Sequence, residues 1–133
     1  MLIFVVSSCE KQPSFKIFEN KVIECCDVSI PTENLAWLKK IIDESPSYSV
    51  LSLKLFVNNK DNSQYIVKKD AIFTSVYDCA GNQLFVGAYS GDMGSINENK
   101  KTQRVSPVPC EECEEFFKTH HLVGILYEKM LNN

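Results

Sequence analysis

The sequence predicts an α+β domain, with an antiparallel sheet of four to five strands laid on one amphipathic helix and a second short helix near the C-terminal end. Three observations carry this: a helical spacing of apolar residues between Pro31 and Ser45, short runs of period two between Tyr48 and Tyr89, and turn-forming residues between those runs. A chain of 133 residues suits one domain around one core. Eight Phe, five Tyr and one Trp supply the apolar mass, and five Gly with five Pro are too few for a low-complexity chain. With 14 basic against 17 acidic side chains, net charge −3, the composition argues against a nucleic-acid partner, which would need clustered Lys and Arg.

The first element is an address. Leu2 to Val6 form a short apolar run, followed by Ser7-Ser8-Cys9 and the polar stretch Glu10 to Ser14. Small residues before a cysteine let a signal peptidase reach the backbone, and the thiol accepts a diacylglycerol; Val6-Ser7-Ser8-Cys9 looks like such a bacterial lipoprotein signal. The run is shorter than the usual secretory segment and lacks a preceding Lys or Arg, as a start codon placed too far downstream would produce. The competing reading is a buried N-terminal strand. The expected layout is residues 1–8 as a truncated signal segment, 9–17 as lipidated Cys9 and tether, and 18–133 as the α+β domain. Each buried methylene of an acyl chain contributes about 0.8 kcal/mol, so two or three chains on Cys9 would hold the protein to a membrane. No run approaches the length of a spanning helix.

Leu35, Leu38, Ile41 and Ile42 form the stripe of one helix, with Trp37 beside it, Thr32 as the expected N-cap and Ser45-Pro46 as the stop. Residues Val50 to Val57 and Gln64 to Lys68 read as a hairpin across Asn58 to Asn62. Ile72 to Asp78 and Gln83 to Tyr89 follow as a second pair across Cys79-Ala80-Gly81-Asn82, in which Gly81 and Asn82 tolerate positive φ. Ser90 to Pro109 reads as a long loop; its glycines lack the Gly-Lys-Ser/Thr ending of a phosphate loop. Cys110 to Thr119 is helix-compatible, with Glu111, Glu112, Glu114 and Glu115 near the positive end of the dipole. Leu122 to Tyr127 closes the domain as a strand, one continuous helix being the alternative.

Five cysteines remain once Cys9 is assigned to lipid: Cys25, Cys26, Cys79, Cys110 and Cys113. Export places them where disulfides persist, and the odd number leaves one unpaired. Neighbours in an extended chain point to opposite faces, so one of Cys25 and Cys26 can bridge to Cys79 while the other packs as a small hydrophobe. Cys110-Glu111-Glu112-Cys113 has three readings. A redox pair is opposed by four glutamates, a zinc site would need Cys79 and Cys25 or Cys26 to come close, and a structural disulfide is the favoured one. His120 and His121 diverge as neighbours and cannot chelate one metal together. Trp37 is foremost a packing anchor, and Trp37, Tyr89 and Asp92 are the candidate binding residues. No catalytic residue, metal ligand or cofactor is assigned.

Cys26-Asp27-Val28, Leu35 to Ile42, Tyr65-Ile66-Val67, Tyr77 to Leu84 and Leu122 to Tyr127 together resemble the small secreted lipoproteins of Bacteroidetes, which carry a lipobox, a Trp-Leu-Lys helix and a Cys-x-Gly turn. The resemblance covers about residues 25–127. It departs at Phe85, where a second cysteine is common, and in the longer loop up to Pro109. It implies an α+β build and an envelope location, and transfers no active site. The expected function is a lipid-anchored envelope module without catalytic activity, on the outer membrane facing the periplasm or the cell surface, binding a protein or glycan partner. The alternative is a thiol–disulfide or metal-dependent periplasmic protein using Cys110 and Cys113.

Overall fold

Leu51, Leu53 and Leu55 point to one side of their strand and Phe56 to the other, and this split organises the molecule. The computed structural model describes residues 14–87 and 111–132. Eight strands lie among them: β1 (Phe15–Glu19), β2 (Glu24–Cys25), β3 (Val28–Ser29), β4 (Leu51–Asn58), β5 (Gln64–Lys69), β6 (Thr74–Tyr77), β7 (Gln83–Gly87) and β8 (His120–Leu131). Six form one antiparallel sheet in the order β1-β8-β4-β5-β6-β7, and β2 with β3 makes a small separate hairpin. The helices are α1 (Pro31–Asn34), α2 (Ala36–Glu44) and α3 (Glu111–Thr119).

The α+β class and the β4 to β7 meander agree with the sequence reading, but the sheet is larger than four to five strands. β1 pairs with β8 from Phe15↔Leu131 to Glu19↔Tyr127, so residues 15–17, expected in the tether, belong to the sheet. β8 extends well beyond both ends of the Leu122–Tyr127 run and follows α3 directly. It is a central strand, flanked by β1 and β4.

The expected single helix is two. Leu35 takes extended dihedrals (φ −100, ψ 108) between α1 and α2. Thr32 is not the N-cap: that position is Ile30, in the left-handed region at φ 48, with Pro31 opening the helix. Thr32 is buried instead, and its hydroxyl donates to the Glu19 carboxylate. A proline suits a first turn because its missing N–H would have had no helical partner there.

Both faces of the sheet carry helices, where only the Trp37 helix had been expected to pack on it. On one face Leu38, Leu51, Leu53, Leu55, Ile66 and Leu126 form an aliphatic core closed by Trp37, Ile41 and Ile42. On the other, Val67, Val76 and Phe116 centre an aromatic cluster with Phe56, Tyr65, Phe85 and Phe117. The fold is therefore three-layered, and the second helix is a full partner of the sheet.

The turns share one device. Asn20, Asn58, Asp70 and Asp78 each accept, through one side-chain oxygen, hydrogen bonds from two backbone amides just ahead in the chain. This local bonding replaces the ladder bonds that a reversing chain gives up. In the β6–β7 turn Gly81 has φ +91, and a Cβ there would lie 2.6 Å from Trp37 Cγ. Trp37 donates its indole N–H to Cys79 O at 2.9 Å and packs on Tyr77 with centroids 5.4 Å apart. A glycine is needed there both for the backbone angle and for the indole.

Candidate binding surface

Cys26 and Asp27 connect β2 and β3 as a two-residue turn with both φ values positive, 55 and 67. This turn reaches the β5 and β6–β7 end of the sheet. Cys26 is bonded to Cys79 in a disulfide, and its amide donates to Gln64 Oε1 at 2.6 Å. Cys25, one residue earlier, faces the aliphatic core at 2% exposure as a free thiol, and burial pushes its pKa up to about 11. One of the pair bridges to Cys79 and the other is buried, as expected, with Cys26 as the bridging member; the left-handed turn at Cys26-Asp27, not alternation along an extended chain, separates them. Cys113 is fully buried on α3 and disulfide-bonded. Cys9, Tyr89, Asp92 and Cys110 lie outside the described residues. Among the described residues no group of three or more His, Cys, Asp or Glu could hold a metal ion.

The histidines diverge, as adjacency on a strand requires. His120 stacks on Phe116 with centroids 3.8 Å apart, and its Nδ1 lies 2.9 Å from Phe116 O. His121 is exposed and meets Asn59 Oδ1 at 2.6 Å. Trp37 has its N–H and part of its ring engaged inside the fold, as described above. Among the described candidates, Trp37 meets the Cys26–Cys79 bridge through its hydrogen bond to Cys79 O, and Cys25 packs in the same aliphatic core.

Two surfaces do have the shape of a site. The first is a cleft of about 250 Å³ between the C-terminal end of α2, the loop that follows it and the end of β5. Ile41 and Leu51 supply apolar wall, and Glu44, Ser45, Ser49, Lys68 and Asp70 supply polar groups. Lys129 supports it from beneath. This lysine is 6% exposed and donates to Ser45 Oγ at 3.0 Å and to Pro46 O at 2.8 Å. It brings positive charge to the negative end of the α2 dipole and fixes the helix stop against β8. Ser45 Oγ accepts from Lys129 here, so the contact anchors the helix stop. Asp70 is likewise committed, accepting from the amides of Ile72 and Phe73 and lying 3.7 Å from Lys68. An adjoining hollow of about 180 Å³ is lined in part by Ser52, whose buried hydroxyl has no hydrogen-bond partner among the described residues.

The second surface is the β1–β8 border. Among the described residues, the rings of α3 pack on β4, β5, β7 and the start of β8, and none of them reaches β1. Lys16, Ile17, Phe18, Glu128 and Met130 line a shallow hollow of about 210 Å³ there.

Sequence reasoning did not find these groups. Lys129 had a signal: continuing the alternation of the closing strand past Tyr127 places it on the same face as that residue. The cleft had none, because its walls come from segments far apart in the chain. No family model matches the chain, and no curated protein and no solved structure matches it either.

Proposed function

We propose that this protein is a lipid-anchored module of the cell envelope that binds rather than catalyses, and that the cleft beside α2 receives its partner. Its anchor would be the lipid on Cys9, and its location the outer membrane, facing the periplasm or the cell surface, as in the Bacteroidetes lipoproteins it resembles. The observation that carries the reading is the cleft itself, an open hollow whose polar groups are held by bonds within the fold. Fixed polar groups around an apolar wall recognise a partner at low ordering cost. A volume of about 250 Å³ admits a single sugar ring or amino-acid side chain of a larger glycan or protein. Two further features agree with export. Cys26–Cys79 closes a loop of 53 residues, and Cys113 is also oxidised; such bonds persist in oxidising compartments.

The thiol–disulfide alternative needs a reachable thiolate. Cys113 is fully buried, and four glutamates stand around it in the chain. The test is backbone NMR of the chain titrated with glycan fragments and with soluble extracts of envelope protein. Shifts confined to Ser45–Leu51 and Lys68–Asp70, lost in Lys68→Ala, are the expected result. Shifts elsewhere, or turnover of a disulfide or ester substrate, would replace this reading with another.

A further inference from the structure

We propose that the ligand of the cleft beside α2 is a neutral carbohydrate, held by the polar groups of the wall and by the ring of Tyr48 at the rim; the inference rests on the binding reading above and names its ligand class. Tyr48 is 77% exposed, more than any other aromatic among the described residues. Neither its hydroxyl nor its ring has a hydrogen-bond or ring partner among them. The fold makes no use of this ring, and a ring left in water gains free energy when an apolar surface covers it.

A turn fixes where Tyr48 stands. The Ser49 amide donates to Pro46 O at 3.2 Å, closing Pro46-Ser47-Tyr48-Ser49 as a β-turn with Tyr48 in its third position. Pro46 and Ser49, the two ends of that turn, both line the cleft. Lys129 holds Pro46 O from beneath at 2.8 Å, so the backbone of the turn is anchored. Tyr48 is therefore one residue from the wall, and rotation about its unrestrained χ1 carries the ring toward the opening. The face of a pyranose ring is a row of C–H groups bounded by hydroxyls, which matches an aromatic ring set beside polar groups.

The wall selects the same class. Ser45 Oγ accepts from Lys129, and its own proton has no acceptor among the described residues. Glu44 meets Lys40 only at 3.9 Å and Asp70 meets Lys68 at 3.7 Å, so both carboxylates keep acceptor capacity and Lys68 keeps donors. A hydroxyl both donates and accepts, and can answer each of these groups. An anion would face Glu44 and Asp70, and a cation would face Lys68 with Lys129 behind it, so the opening offers an ionic ligand no net charge to neutralise. The strands below decide against an extended peptide. β4 is paired on both sides, by β8 and β5, and β5 by β4 and β6, which leaves no free edge at the cleft for a peptide backbone to join.

The test titrates the isotope-labelled full chain with maltose, cellobiose, lactose and chitobiose, each up to its solubility, and in parallel with a random hexapeptide mixture. Backbone amide shifts locate binding, and saturation transfer to the sugar protons reports the ring contact. The expected result is at least one sugar that shifts Ser45–Leu51 and Lys68–Asp70, with affinity lowered about tenfold in Tyr48→Ala, kept in Tyr48→Phe and unchanged by added salt. Because no hydrogen bond or ring contact of the fold uses Tyr48, Tyr48→Ala should keep the parent's melting temperature, which separates lost binding from lost structure. Sugar binding in the cleft that Tyr48→Ala leaves unaltered overturns the role of the ring. Cleft shifts with the hexapeptides and with none of the sugars overturn the ligand class and leave the cleft standing as a binding surface. No cleft shift with either removes both readings.

Discussion

The two faces of the sheet solve the same burial problem with different chemistry. The α2 face is aliphatic and pinned: leucines and Ile66 meet Leu38 from the helix, and the β2–β3 hairpin is bonded to the sheet's far end through Cys26–Cys79. The α3 face is aromatic: Phe116 contacts Phe56, Tyr65, Phe85 and His120 at the start of β8, and among the described residues this cluster does not extend to β1. Interlocked aliphatic packing with a covalent tie resists opening as a unit. A short helix packed through tilted rings offers a smaller unit, which the oxidised Cys113 on it also ties.

The largest blow to the pinned face is loss of its tie. Cys79→Ser frees a loop of 53 residues, for which chain entropy gives about 4 kcal/mol. Denaturant unfolding should show that loss, with no change in α3 packing by NMR. In the parent protein Cys25 should resist a thiol reagent until global unfolding, because its thiol is buried and its pKa is pushed up to about 11. That raised value means its contribution is complete below the ordinary value of 9.0 and fades as pH rises from there toward 11.

Phe116→Ala should cost about 3 kcal/mol, the low end for a buried aromatic. Hydrogen exchange would sharpen the contrast: amides of α3 and the start of β8 should lose protection first, with β4 and β5 unaffected. Loss of protection throughout would show that the two faces unfold together.

Gly81→Ala comes next, at about 2 kcal/mol, since alanine meets both a positive φ and the Trp37 ring. A Trp37→Leu background should recover part of it, measured as a double-mutant cycle. Full recovery would make the indole the whole cause, and none would leave it to the backbone.

The smallest effect is electrostatic. The Asn82 amide, followed by the Asn82 side chain and the Ala80 and Gly81 amides, holds the Asp78 carboxyl below its ordinary value of 3.8. A lowered folded value contributes stability that is present above the unfolded value and lost as pH falls through the folded one. NMR below pH 4 should therefore show the β6–β7 turn loosening before either core. Asp78→Asn should remove that step.

Local pattern accounts for what the sequence made legible. β4 and β5 alternate loosely on either side of the Asn58–Asn62 turn, and Gly81-Asn82 marks its own turn. α3 was readable from its acidic first turn, and the bridge to Cys79 from the opposite directions of adjacent side chains. β1 was hidden because Phe15-Lys16-Ile17-Phe18-Glu19 continues a polar stretch and gains order only from β8. The full length of β8 was masked by register shifts opposite Leu53/Lys54 and Leu55/Phe56, which break its alternation. The helix break at Leu35 has no breaker residue to announce it. The cleft and the β1–β8 border join segments distant in the chain, and no local rule brings Ser45 to Lys129 or Phe18 to Met130.

The adjacent cysteines place a choice before the oxidising machinery. Cys79 has two neighbouring sulfurs to choose between, and only the tight bend at Cys26-Asp27 turns one outward while sending the other inward. Correct pairing thus depends on local shape being established ahead of the crosslink. An oxidant acting on a nascent, shapeless chain would sample both isomers, so such a protein profits from a shuffling catalyst that can undo the wrong one.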